Sequence, residues 1–191
     1  MKKKLFTLSL FIICLAILTG GTLAYFTATD TARNTITAGA IQVAVVEQQS
    51  INGKLEPYPQ KPIAVMPGTT VSKIVSVKNL ESPAWIRMNY KILVLDADGK
   101  AMEITDAELA RIIRLDTDTE NWKLTNGWWY YQTPLKAEET TKPLFTTVTF
   151  AGAEMDNTYQ NCTVTITVTA QAVQQANNGN SVMEALGWPA N

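Results

Sequence analysis

Polar and apolar residues alternate along much of the chain beyond residue 35. In 162–172 (CTVTITVTAQA), Cys162, Val164, Ile166, Val168 and Ala170 take one parity, and Thr163, Thr165, Thr167, Thr169 and Gln171 take the other. A period of two puts these sets on opposite faces of a strand, so the segment predicts a half-buried strand with a wet threonine face. Residues 36–47 group Ile41, Val43 and Val45. Residues 71–78 group Val71, Val75 and Val77, and 85–95 group Ile86, Met88, Tyr90, Ile92 and Val94. Weaker strand patterns cover 128–132 and 145–150. Pro67-Gly68, the stretch from Asn79 to Pro83, and Asp98-Gly99 separate these runs as turn signals. Many short strands without alternating helical segments predict a mainly β fold, a jelly-roll-like antiparallel β-sandwich.

Two short helices are expected within it. Thr105 and Glu108 have capping-box spacing, with Ile104 and Leu109 as the hydrophobic staple, which predicts a helix over about 106–114. Ser181 and Glu184 repeat the box, and Gly187 stands where a helix stop belongs.

The first 24 residues follow a different pattern. Lys2, Lys3 and Lys4 precede the apolar run Leu5–Leu18, and the small-residue exit ends Thr22-Leu23-Ala24. This is a signal peptide by pattern, cleaved between Ala24 and Tyr25. The competing reading is an uncleaved anchor, but the run is short of the roughly 20 apolar residues that span a bilayer. Residues 25–191 then form one β-sandwich domain, with 25–35 an extended N-terminal segment. The expected location is secreted, in the extracellular matrix or at the cell surface.

Composition narrows the chemistry. The 191 residues hold no histidine and two cysteines, and the net charge is −1. Removing residues 1–24 takes away three lysines and no acid, leaving 13 basic against 17 acidic residues and only Cys162. A mildly acidic chain without a basic patch is a poor partner for nucleic acid. Without histidine there is no serine–histidine or cysteine–histidine pair and no ordinary zinc ligand set, so no enzyme, cofactor or metal is expected. Asp96-Ala97-Asp98-Gly99 opens like a calcium loop. Lys100 then stands at an oxygen position and no closing glutamate follows, which favours a turn. Cys162 has the parity of the apolar face and is expected buried and inert. Trp128, Trp129, Tyr130 and Tyr131 form one strand with two aromatics per face. Either one pair is exposed for sugar stacking or protein contact, or the run is cross-strand packing.

The signal exit Gly20-Gly21-Thr22-Leu23-Ala24-Tyr25-Phe26 and the following Asn34-Thr35-Ile36-Thr37-Ala38-Gly39 resemble a family of exported Gram-positive proteins, the TasA/camelysin family of the biofilm matrix. Pro67-Gly68 before VSKIVSVKN, Ser82-Pro83-Ala84-Trp85-Ile86-Arg87, Gly127–Tyr131, Pro143-Leu144-Phe145 and Ala170–Gln174 extend the resemblance over most of the chain. It implies removal of the signal by a dedicated signal peptidase and a jelly roll that assembles into extracellular fibres. In such fibres the mature N-terminal segment fills a groove of the next subunit as a donor strand. The interface residues would be Tyr25, Phe26, Thr27, Ala28 and Thr29. The implied partners are other copies of the chain, the peptidase during export, and other matrix components. Camelysin's classification as a metallopeptidase transfers poorly to a chain with no histidine. Assembly also has a physical basis: sheet edges expose unpaired backbone groups, and residues 25–34 are too polar after Tyr25-Phe26 to pack as core. The alternatives are a monomeric polysaccharide-binding module using Trp128–Tyr131, and a camelysin-like peptidase.

Overall fold

The computed structural model describes residues 26–33, 36–37, 41–59 and 63–189. The predicted signal segment, the cleavage pair Ala24 and Tyr25, and Cys14 lie outside them. Among the described residues twelve strands form two sheets: β1 Phe26–Arg33, β2 Ile36–Thr37, β3 Ile41–Ile51, β4 Lys54–Pro57, β5 Ile63–Val65, β6 Thr70–Asn79, β7 Ala84–Leu95, β8 Ile113–Leu115, β9 Trp122–Thr125, β10 Trp128–Tyr131, β11 Phe145–Phe150 and β12 Thr163–Gln174. The first sheet has the order β5-β1-β12-β7-β10-β9, and the second β2-β3-β6-β11-β8, with β4 paired to β3. Among the described residues pairing is antiparallel except between β1 and β12, which run parallel. The fold is a β-sandwich.

The core follows the predicted parity. Ile86, Met88 and Val94 of β7 and Val164, Ile166 and Val168 of β12 meet Val75 and Val77 of β6 and Phe145 and Phe150 of β11 between the sheets. Cys162, just ahead of β12, is fully buried, with Sγ 3.4 Å from Met102 Sδ. Two of the three Asn-Gly pairs make tight hairpins. Asn52 and Gly53 join β3 to β4, and Asn126 and Gly127 join β9 to β10, all four with positive φ, as a two-residue type I′ turn requires.

The outer face of the first sheet is covered at one end. Val182, Ala185 and Trp188 of the C-terminal segment pack on Trp85 and Val173. Asn178 holds that segment, its side chain bonding Gln174 O, Leu186 O and Leu186 N, while its own carbonyl accepts from Trp85 Nε1. This cover explains why β7 is buried on both parities from Ala84 to Met88, whereas Lys91 and Leu93 further along are exposed.

One predicted helix forms and the other does not. Helix α1 spans Asp106–Ile112, and the Thr105 hydroxyl accepts from the Glu108 N–H. It is shorter than the predicted 106–114, because Ile113 turns to extended backbone and opens β8 against Phe150. The Ser181–Glu184 box makes only a turn, closed by Glu184 N–H to Ser181 O, and the Glu184 carboxylate accepts from Asn180 N–H. Too few residues separate it from Gly187 and Pro189 to offset helix nucleation. Asp96-Gly99 is a turn, as expected, with Asp96 Oδ1 accepting from Asp98 N–H and Lys100 N–H.

Glu108 also closes the end of the sandwich, accepting from the buried Tyr159 hydroxyl at 2.6 Å. Burial, this hydrogen bond and the Glu108 charge push the Tyr159 phenol from 10.0 up to about 12. The folded value lies above the unfolded one. Its stabilising contribution is therefore complete below pH 10 and is lost as pH rises from 10 through about 12. Denaturation midpoints measured across that window should fall more steeply for the native chain than for Tyr159→Phe. Equal slopes would refute the linkage.

Candidate functional site

Four of the five residues expected at a subunit interface lie in β1: Phe26, Thr27, Ala28 and Thr29; Tyr25 lies outside the described residues. The strand pairs within its own chain. Thr27–Arg33 register with Thr163–Thr169 of β12, and Phe26–Ala28 with Val65–Ile63 of β5. This is the arrangement that competes with donation to a neighbour. β1 is a terminal strand inserted between two others, and its sequence FTATDTAR is polar. The main-chain ladder therefore contributes much of its hold.

The aromatic run does not form the exposed platform that was considered. Trp128 and Tyr131 are buried, and Trp129 and Tyr130 are half-buried. On the inner side, Tyr131 packs on Trp122 at 5.0 Å between ring centroids, and Trp129 joins the core. On the outer side, Arg87 closes over Trp128 and Tyr130. Its guanidinium carbon lies 4.3 Å from the Trp128 ring and 4.7 Å from Trp188. It donates to Gln171 Oε1 through Nε and Nη2, to the Tyr130 hydroxyl, and to Pro189 O. The correction has a plain cause: the C-terminal segment and Arg87 cover the face that parity left open. Neither was legible as a cover, because both partners are distant in sequence.

A second polar group lies inside the sandwich. Lys73 shares the parity of Val71, Val75 and Val77 and is 2% exposed. Its Nζ lies 3.1 Å from Glu47 Oε1 and 3.9 Å from the centroid of the Tyr58 ring. Tyr58 N–H donates to Glu47 O, which carries the β3–β4 ladder one step further and brings the tyrosine beside the glutamate. Burying an amine or a carboxyl group is costly unless it is paired, and these two are in contact. The signal for Lys73 was its parity, an odd position between valines in VSKIVSVK.

The other carboxylates mostly organise loops. Asp116 accepts from Thr146 N–H, Thr147 N–H and the Thr146 hydroxyl, tying the end of β8 to β11. Burial pushes its carboxyl up, and these hydrogen bonds outweigh that and hold it below 3.8. Among the described residues no three histidine, cysteine, aspartate or glutamate side chains gather as a metal site. A cleft of about 760 Å³ opens among β7, α1, β8 and β9, lined chiefly by Tyr90, Ile92, Leu109, Ile113, Leu115 and Leu124. It lies between edge strands of both sheets. Burial raises the Tyr90 phenol, offset in part by a hydrogen bond with Trp129.

Comparison with family models, with curated proteins and with solved structures finds no match to this chain.

Proposed function

We propose that this chain is an exported structural protein of the extracellular matrix or cell surface, assembled head to tail by exchange of its N-terminal strand. The observation that supports the reading is the seat of β1. A polar terminal strand completes the first sheet between β5 and β12, pairing in parallel with β12. Ordering its eight residues costs roughly 8–16 kcal/mol in backbone entropy, whichever chain supplies them. A neighbour's β1 makes the same ladder in the same register, so self-pairing and exchange differ little in contact energy. Exchange joins two unlike surfaces, a tail and a groove, and such a contact propagates without closing. The signal-peptide pattern ending at Ala24 and the resemblance to the TasA/camelysin family point the same way. The polysaccharide-binding reading has less to rest on, since Trp128 and Tyr131 are buried and Trp129 and Tyr130 are half-buried.

Electron microscopy of the mature protein tests this. The full mature chain is expected to form fibres, and a chain lacking residues 26–33 to form none. A synthetic peptide spanning Tyr25–Asn34 should raise the melting temperature of the truncated chain without restoring fibres, because it fills the seat but links nothing. Fibres from the truncated chain, or a full chain that stays monomeric under all conditions, would overturn the proposal.

A further inference from the structure

The two side margins of the sandwich differ, and each carries apolar surface. At one margin β8 ends the second sheet and β9 ends the first. The cleft of about 760 Å³ opens between them, and Leu124 stands at it 54% exposed. Asp106 and Arg114 also line it, one charge of each sign, and Arg114 stays exposed while reaching Glu154 at 3.5 Å. At the other margin stands the β3–β4 hairpin. Gln48 registers with Ile74 of β6 and with Pro57 of β4, so β6 and β4 flank β3 on opposite sides. β4 therefore lies at the far end of the second sheet from β8. Every residue from Ser50 to Pro57 is exposed. Leu55, opposite Ser50, lies on one face of the hairpin. Ile51, opposite Lys54, lies on the other, with Glu56. Leu55 is 60% exposed and Ile51 41%.

We propose that the β3–β4 hairpin of one copy wedges into the β8–β9 cleft of the next. Hairpin and cleft answer each other in three respects, which makes a second copy of this chain the occupant. A two-stranded ribbon that enters edge first between two sheet margins meets a wall on each face. This hairpin has one large apolar side chain for each wall, Leu55 and Ile51, and the cleft offers Ile92, Leu109, Leu115 and Leu124 to cover them. Lys54 and Glu56 carry one charge of each sign, as do Asp106 and Arg114. One orientation sets Lys54 by Asp106 and Glu56 by Arg114, and the reverse sets like charges together, so charge selects the docking direction. Finally, wedge and cleft sit at opposite margins and cannot meet within one copy. A contact between such unlike surfaces adds copies without having to close. A hairpin of this size buries less than the roughly 800 Å² per partner of a standard interface, so the contact is weak alone. To that extent it rests on the assembly reading, since strand exchange holds neighbours at high local concentration.

Cross-linking of the full mature chain in concentrated solution tests the contact, because a cross-linker traps a brief encounter and needs no fibre. Leu55→Cys and Leu124→Cys replace exposed residues, and the native Cys162 is buried away from the reagent. A mixture of the two variants treated with a short bis-maleimide should give a covalent dimer several-fold above that of either variant alone. A chain carrying both substitutions should give a ladder of covalent multimers. Reversing the hairpin charges, Lys54→Glu with Glu56→Lys, should cut the mixed dimer several-fold. A mixed dimer no more abundant than those of the single variants would overturn the proposal and leave the cleft to another occupant. Electron microscopy of the same samples separates this contact from strand exchange. Fibres from chains that do not link overturn the hairpin contact and leave strand exchange standing. Linking by a chain that forms no fibres supports the hairpin contact and counts against strand exchange.

Discussion

Arg87→Ala is expected to lower the stability of the fold by about 3 kcal/mol or more and to release the C-terminal segment from the sheet. Arg87 is 9% exposed and binds three elements at once: Gln171 on β12, Tyr130 on β10 and the carbonyl of Pro189. Removing it leaves the Gln171 and Pro189 oxygens short of donors, and a buried unsatisfied group costs about 1–3 kcal/mol. It also strips the cation from between the Trp128 and Trp188 rings. Such stacking contributes about 0.5–2 kcal/mol. Arg87→Lys should recover only part, because an ammonium cannot lie flat between two rings and fork to one oxygen. Denaturant unfolding followed by tryptophan fluorescence checks both variants. A loss under about 1 kcal/mol for the alanine variant would show that the C-terminal segment is held without Arg87.

The sandwich was legible because burial here follows strand parity closely. β12 alternates from Val164 to Ala170, and each inward residue is a β-branched or small apolar one. Other elements left their signals in plain view. Asn52-Gly53 and Asn126-Gly127 mark type I′ hairpins, and reading them would have added β4 and β9. The unbroken run Ala84-Trp85-Ile86-Arg87-Met88 has no polar face except through Arg87, as suits a strand covered on both sides. The parallel pairing of β1 with β12 is a different matter. Those strands are separated by most of the chain, and the threonine-rich sequence of β1 matches many edges equally well, so its register depends on the assembled sheet. The covered aromatic face was out of reach for the same reason, since its lid comes from residues 182–189. Lys73 was readable by parity but looked like a polar interruption, because a lysine is almost never fully buried unless paired. Its partner Glu47 sits at an inward position of β3 and is read correctly only once both strands are placed together.

Trp122→Ala is expected to destabilise the protein by about 3–5 kcal/mol, the range for removing a large aromatic from a packed core. Trp122 opens the edge strand β9 and is 1% exposed, unusual for a residue at a sheet margin. It packs at a tilt against Tyr131, and its Nε1 donates to the carbonyl of Lys142 at 3.1 Å. The Tyr131 hydroxyl accepts from the Lys142 N–H. The two rings thus grip the segment that leads into β11, and its Thr141 and Leu144 N–H groups bond Val77 and Val75 on β6 of the other sheet. Loss of the indole therefore opens a cavity and loosens a strap between the sheets. Trp122→Phe keeps most of the packing and gives up the hydrogen bond, about 1 kcal/mol, plus part of the cavity term. A double-mutant cycle with Tyr131→Phe measures how far the grip acts as a unit, since neighbouring contacts couple where distant ones add. Coupling of about 0.5 kcal/mol or more supports the strap, and strict additivity would reduce Trp122 to ordinary core filler.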